Sequence, residues 1–144
     1  MRHDPFDLNR FVAAQNTDGI YDVALEELSR GRKTSHWMWF VFPQIAGLGH
    51  SAMSQRFSLS SLDEAHAYLQ HPVLGARLIE CTNVVAETIG RSAEQIFGAV
   101  DAQKLQSSMT LFMRASADEP HFRWVIQLYF EDQPDPATDR LLIA

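Results

Sequence analysis

The chain has 144 residues, 46% of them apolar and 21% charged, and a formal net charge of −6. That length is one domain, 1–144, able to bury about 70% of the surface its unfolded chain exposes, and the acidic balance gives no general electrostatic reason to bind nucleic acid or an anionic membrane. A single cysteine, Cys81, excludes an internal disulfide; no apolar run approaches the roughly 20 residues of a membrane span, and the opening "MRHDPFDLNRF" lacks the apolar core of a signal peptide, so the expected location is cytoplasmic.

In chain order, "DPFDLNRFVAAQ" has Pro5 near its start and an apolar face of Leu8, Phe11 and Val12, which predicts a helix. Asp18 is placed to cap a second helix carrying Ile20, Val23, Ala24 and Leu28, which Gly31 stops. Residues 37–42 are six consecutive apolar residues, four of them aromatic, followed by Pro43 and a glycine-rich turn. They have the length of a strand, but no second strand stands ready to pair with them, and an isolated two-stranded sheet is marginal.

"SLDEAHAYL" opens with Ser61 and places Glu64 three residues on, as in a capping box. After His71-Pro72 comes the longest periodic segment, with Leu74, Leu78, Cys81, Val85 and Ile89 on one stripe and Gly90 at its end. Ser92 to Gly98 reads as a short helical turn, and "DAQKLQSSMTLFMRA" follows from Asp101. "PHFRWVIQLYFED" keeps Phe122, Val125, Ile126 and Tyr129 on one helical face, and Pro136 opens a last helix with Leu141 and Leu142. The expected fold is all-α, a compact single-domain bundle of about seven to nine short helices.

Three blocks, "GRKTSHWMWFVFPQIAGLGHSAM", "AYLQHPVLGARLIECT" and "IFGAVDAQKLQSSMTLF", resemble the bacterial domain-of-unknown-function family numbered 1810. The resemblance runs from about Phe11 to about Leu142. It implies a compact all-helical fold and brings no established activity, substrate, cofactor or catalytic residue. A basic residue is expected in the third block where this chain has Gln106. The calpastatin label sometimes attached to such proteins has no support in the residues, since a protease-inhibiting repeat is disordered and polar.

Two stretches carry polar chemistry. In the first, Arg32, Lys33, His36 and Gln44 bracket the aromatic run, and Gly47, Gly49 and Ser51 form the turn after it. Cations attract phosphate, aromatic faces stack on bases, and glycines admit close approach of backbone to a ligand. The stretch is neither a P-loop nor a dinucleotide fingerprint. The plainer alternative is that residues 37–42 are core and the glycines are a turn.

In the second stretch, Lys104, Ser107 and Ser108 stand beside a core stripe of Leu105, Met109 and Phe112. The serines serve either close helix packing or a ligand. His36 is the one candidate acid or base, against the alternative of a hydrogen-bonded histidine at the edge of the core. The acidic pairs Glu26/Glu27 and Asp63/Glu64 read as solvated helix faces or caps.

His66 and His71 are five apart and share no helix face, so no metal site is expected, and no cofactor motif is present. Nothing indicates a homo-oligomer. The leading reading is a binding module for a small phosphate-bearing or nucleotide-like ligand. The alternatives are a hydrolase acting on an N-glycosidic or phosphoester bond of such a ligand, and a protein–protein interaction domain.

Overall fold

The computed structural model describes residues 4–88 and 90–143, and every regular element in them is helical. The first two helices are α1 (Asn9–Asn16) and α2 (Ile20–Ser29), joined by a 3-10 turn over Thr17–Gly19. Then come α3 (Met38–Val41), α4 (Ala52–Arg56), α5 (Leu62–Gln70), α6 (Leu74–Glu87) and α7 (Ala93–Phe97). The chain ends with α8 (Ala99–Ala115), α9 (His121–Tyr129) and α10 (Pro136–Ile143). The only β-type pairing among the described residues is an isolated bridge between Ile45 and Leu59.

The organising element is α8, which packs against α5, α7, α9 and α10, while α6 packs against α2, α5 and α9. Its buried residues include Ala102, Leu105, Ser107, Ser108, Met109, Thr110, Leu111 and Phe112. These lie around most of the helix rather than on one stripe, as expected of a helix enclosed by others. A run of aromatic contacts joins the layers: Phe11 meets Tyr68 edge-on at 5.1 Å, Tyr68 meets Phe112 at 5.4 Å, and Phe112 meets Phe122 at 5.6 Å. Each ring buried in such a contact removes a large apolar surface from water.

Several helix ends differ from the reading of the sequence. Asp18 does not cap α2; it adopts φ +54° inside the 3-10 turn, and Gly19 occupies the N-cap without a side-chain bond. Pro5 lies ahead of α1, where Asp4 accepts from the N–H groups of Leu8 and Asn9. Pro72 also precedes its helix, and the Nδ1 of His71 accepts from the N–H groups of Val73 and Leu74 at the start of α6. Ser92 and Gln95 form a reciprocal capping box on α7. Ile89 falls outside the described residues.

The acidic pairs also depart from expectation, because one member of each is buried. Glu64 is 4% exposed: it accepts from the Ser60 N–H and hydroxyl and pairs with Arg10 at 3.0 Å. Glu27 is 5% exposed and organises the segment described next. A carboxylate at a helix surface cannot be told from a buried one until the chain that folds over it is placed.

Candidate functional site

After Gly31 (φ +73°) ends α2, the chain crosses back over that helix and is held there by Glu27. Its Oε1 accepts from the Thr34 and Ser35 N–H groups and from the Trp37 indole N–H, each at 2.9 Å. Its Oε2 accepts from the hydroxyls of Thr34 and Ser35. Burial pushes the carboxyl pKa up, and the hydrogen bonds from the Ser35 hydroxyl, the Thr34 and Ser35 N–H groups and the Trp37 indole outweigh it, so the group is lowered to about 2. Trp37 is thereby fixed at zero exposure beside Phe42.

The apolar run then makes the single turn of α3. Trp37, Met38, Phe40, Val41 and Phe42 are buried, whereas Trp39 is only partly so and faces a cleft. Gln15 steadies this turn by donating to the Phe40 carbonyl at 2.7 Å.

That cleft has two adjoining lobes. The smaller, of about 210 Å³, is lined by Trp39, Ile45 and Phe57 together with Gln44, Gly47, His50 and other turn residues. The larger, of about 440 Å³, lies between the 44–49 turn and the first half of α8, where Lys104, Ser107 and Val100 meet Leu48 and Asp135. Gln44, Gly49 and Ser54 border both lobes. The two stretches singled out in the sequence therefore meet in space.

Lys104 is the cation of the larger lobe. Its Nζ lies 4.9 Å from the centroid of the Trp39 ring and 3.4 Å from Asp101 Oδ1. Asp101 is more tightly engaged by Lys33, at 2.8 Å. Lys33 is nearly buried and also donates to the Ser35 carbonyl at 2.6 Å, so its charge is spent inside the protein. One carboxylate between two ammonium groups leaves Lys104 with N–H capacity facing the cleft. The Gln44 side chain makes no hydrogen bond among the described residues; only its backbone carbonyl is used, by the Leu59 N–H.

The remaining candidates fall elsewhere. Arg32 and His36 are exposed and border neither lobe. Ser51 caps α4, accepting from the Ser54 N–H. Gly47 (φ +105°) lies against Leu141, and a Cβ on Gly49 would come within 2.5 Å of the Ser54 side chain, so both glycines answer to packing within the chain. Ser108 is fully buried and its hydroxyl has no hydrogen-bond partner among the described residues.

Ser107 borders the larger lobe, but its hydroxyl donates to Asp135 Oδ2 at 3.0 Å. The same oxygen accepts from the Thr138 N–H and hydroxyl, and Thr110 accepts from the Asp135 N–H, so this polar cluster fastens the start of α10 to α8. Gln106, at the position where a base was expected, donates to the Gln133 carbonyl and holds the turn before α10.

Trp39, Ser54 and His50 line the cleft and Asp101 pairs with Lys104 at its edge; none of the four was singled out as a site residue from the sequence. A continuous apolar run has no period to mark Trp39 as the outward ring, and Asp101 reads as a helix start. Among the described residues no group of three or more His, Cys, Asp or Glu is placed to hold a metal ion, and no helix is long and apolar enough to cross a membrane.

Comparison with known proteins agrees with this architecture. The model for the family described as protein of unknown function (DUF1810) matches residues 5–142, and the chain belongs to that family. No curated protein matches the sequence. Among solved structures, the crystal structure of the conserved hypothetical protein Rv1873 from Mycobacterium tuberculosis is similar, with 52% identity and a TM-score of 0.95. The match covers 98% of this chain and 99% of that one.

Proposed function

We propose that this member of the family is a binding module for a small phosphate-bearing or nucleotide-like ligand, held in the cleft between the 44–49 turn and α8. The observation that carries the reading is Lys104. Its side chain is mostly covered, 20% exposed, at the edge of a 440 Å³ groove, and its one carboxylate partner among the described residues is shared with a more tightly bound lysine. A partly desolvated cation with free donors is a strong site for a phosphate oxygen. Gln44 adds an uncommitted amide, and the volume lies in the range of small-molecule sites. Asp135 also borders the groove, and one of its carboxylate oxygens, Oδ2, is engaged by Ser107 of α8 and by Thr138 of α10.

The hydrolase alternative has less behind it, since His36 is exposed and outside both lobes. The interaction alternative loses Trp37, which is completely buried, and keeps Trp39, which is only partly so. The test is a thermal-shift and calorimetric screen at low salt over nucleotides, sugar phosphates and ADP-ribose. At least one compound should raise the melting temperature of the wild type and lose most of that effect in Lys104→Ala, while Arg32→Ala and His36→Ala keep it. A panel that moves nothing, or shifts unchanged in Lys104→Ala, refutes the proposal.

A further inference from the structure

The two lobes differ in chemistry as well as in size. The smaller has aromatic and aliphatic walls, Trp39, Phe57 and Ile45, edged by hydrogen-bonding groups on Gln44, His50, Gln55 and Ser58. At about 210 Å³ it is below the volume of a free-standing small-molecule site and suits one planar group that is part of something larger. A flat heteroaromatic ring satisfies such walls by stacking and such an edge by its ring nitrogens and exocyclic groups.

The larger lobe holds the cation. Trp39 and Lys104 tie the lobes together, because the ammonium lies 4.9 Å from the indole centroid. A ligand whose ring meets Trp39 therefore has its charged group within a few bonds of Lys104, and Gln44 borders both lobes with no side-chain hydrogen bond among the described residues.

From this geometry we infer that the occupant is bipartite: a nucleoside phosphate, with its base in the Trp39 lobe and its phosphate in the Lys104 lobe. The inference rests on the binding reading above and narrows it from phosphate-bearing ligands in general to those carrying a heteroaromatic base. Neither half alone fills the cleft. A nucleoside leaves the ammonium unmatched, and a sugar phosphate leaves the aromatic lobe to water.

The experiment is isothermal titration calorimetry on the full chain with the 5′-monophosphates of adenosine, guanosine, cytidine and uridine, each against its nucleoside and against ribose 5-phosphate. At least one nucleotide should bind about tenfold or more tightly than ribose 5-phosphate, the factor a single base stack supplies. Trp39→Ala should bring that nucleotide down to the ribose 5-phosphate level and leave ribose 5-phosphate binding unchanged.

The indole N–H resonances of the wild type provide a readout that does not depend on the folding of the alanine variant. The Trp39 signal, assigned by its loss in Trp39→Phe, should move with the nucleotide and stay still with ribose 5-phosphate. If ribose 5-phosphate binds as tightly as every nucleotide, with dependence on Lys104, the bipartite ligand is wrong and the phosphate site stands. A Trp39 resonance unmoved by all four nucleotides also overturns it. Absence of any Lys104-dependent binding overturns both.

Discussion

The Glu27 carboxylate accepts the indole N–H of Trp37 at 2.9 Å, ten residues on in the chain and inside the core. This bond and the four others to Glu27 fasten the 34–37 segment to α2, and so set where the aromatic turn of α3 begins. Glu27→Gln replaces an acceptor-only group with one that turns an NH2 toward donors. Loss of a buried, charge-assisted network of this kind costs about 3 kcal/mol. Urea denaturation should show that loss as a lower midpoint with an unchanged slope.

The same carboxylate makes stability depend on pH in the acid range. Its pKa is lowered to about 2 in the folded protein from an ordinary 4.5, so the folded state favours the ionised form. The stabilisation is fully present above about pH 4.5 and is lost as pH falls through 4.5 toward 2. The difference in unfolding free energy between wild type and Glu27→Gln, measured from pH 6 to pH 2.5, should shrink over that interval. A constant difference contradicts the assignment.

Gly75 lies in α6, where an alanine would ordinarily stabilise a helix by about 1 kcal/mol. Here an added Cβ would lie 2.1 Å from the Leu69 carbonyl oxygen, a backbone atom that cannot rotate away. Gly75→Ala should therefore destabilise by about 2 kcal/mol or more. Thermal melts decide the sign, and a rise in melting temperature would rule out the close approach of α5 and α6.

Cys81 is fully buried, and burial, opposed by the Tyr21 hydroxyl, pushes its thiol up to about 12. With almost no thiolate at pH 8, native protein should react with a thiol reagent far more slowly than protein unfolded in guanidinium. Equal rates would mean that the thiol is open to solvent.

Asp101 holds the nearly buried Lys33 and braces Lys104. Asp101→Ala leaves Lys33 without its carboxylate and should cost about 1–3 kcal/mol of stability. If Lys104 binds phosphate, the same variant should not weaken that binding, since a competing negative charge has gone. Calorimetry with a ligand found in the panel, below the melting temperature of the variant, tests the second part.

The sequence by itself determined the helical class and most of the helix positions. Periodic apolar residues must be covered, and serines, glycines and prolines at the breaks leave few alternatives for the chain. Leu74, Leu78, Cys81 and Val85 form a buried stripe as their spacing requires, and Ser61 and Ser92 cap as their positions suggest. Local patterns of this kind depend on neighbours within one or two turns, all visible in the sequence.

Tertiary structure alone decided which polar groups are spent and which are free. Glu27 and Glu26 are adjacent and chemically alike, yet only Glu27 lies under the returning chain. Lys33 and Lys104 are both lysines near aromatic rings, yet only Lys33 takes Asp101 at 2.8 Å and leaves Lys104 toward the cleft. Trp39 became a wall of that cleft because its neighbours 37, 38, 40, 41 and 42 used up the core. Electrostatic partnership and exposure are set by where the chain returns over itself, seven to ten positions on at Glu27 and far along the chain at Lys33 and Asp101, so no local periodicity encodes them.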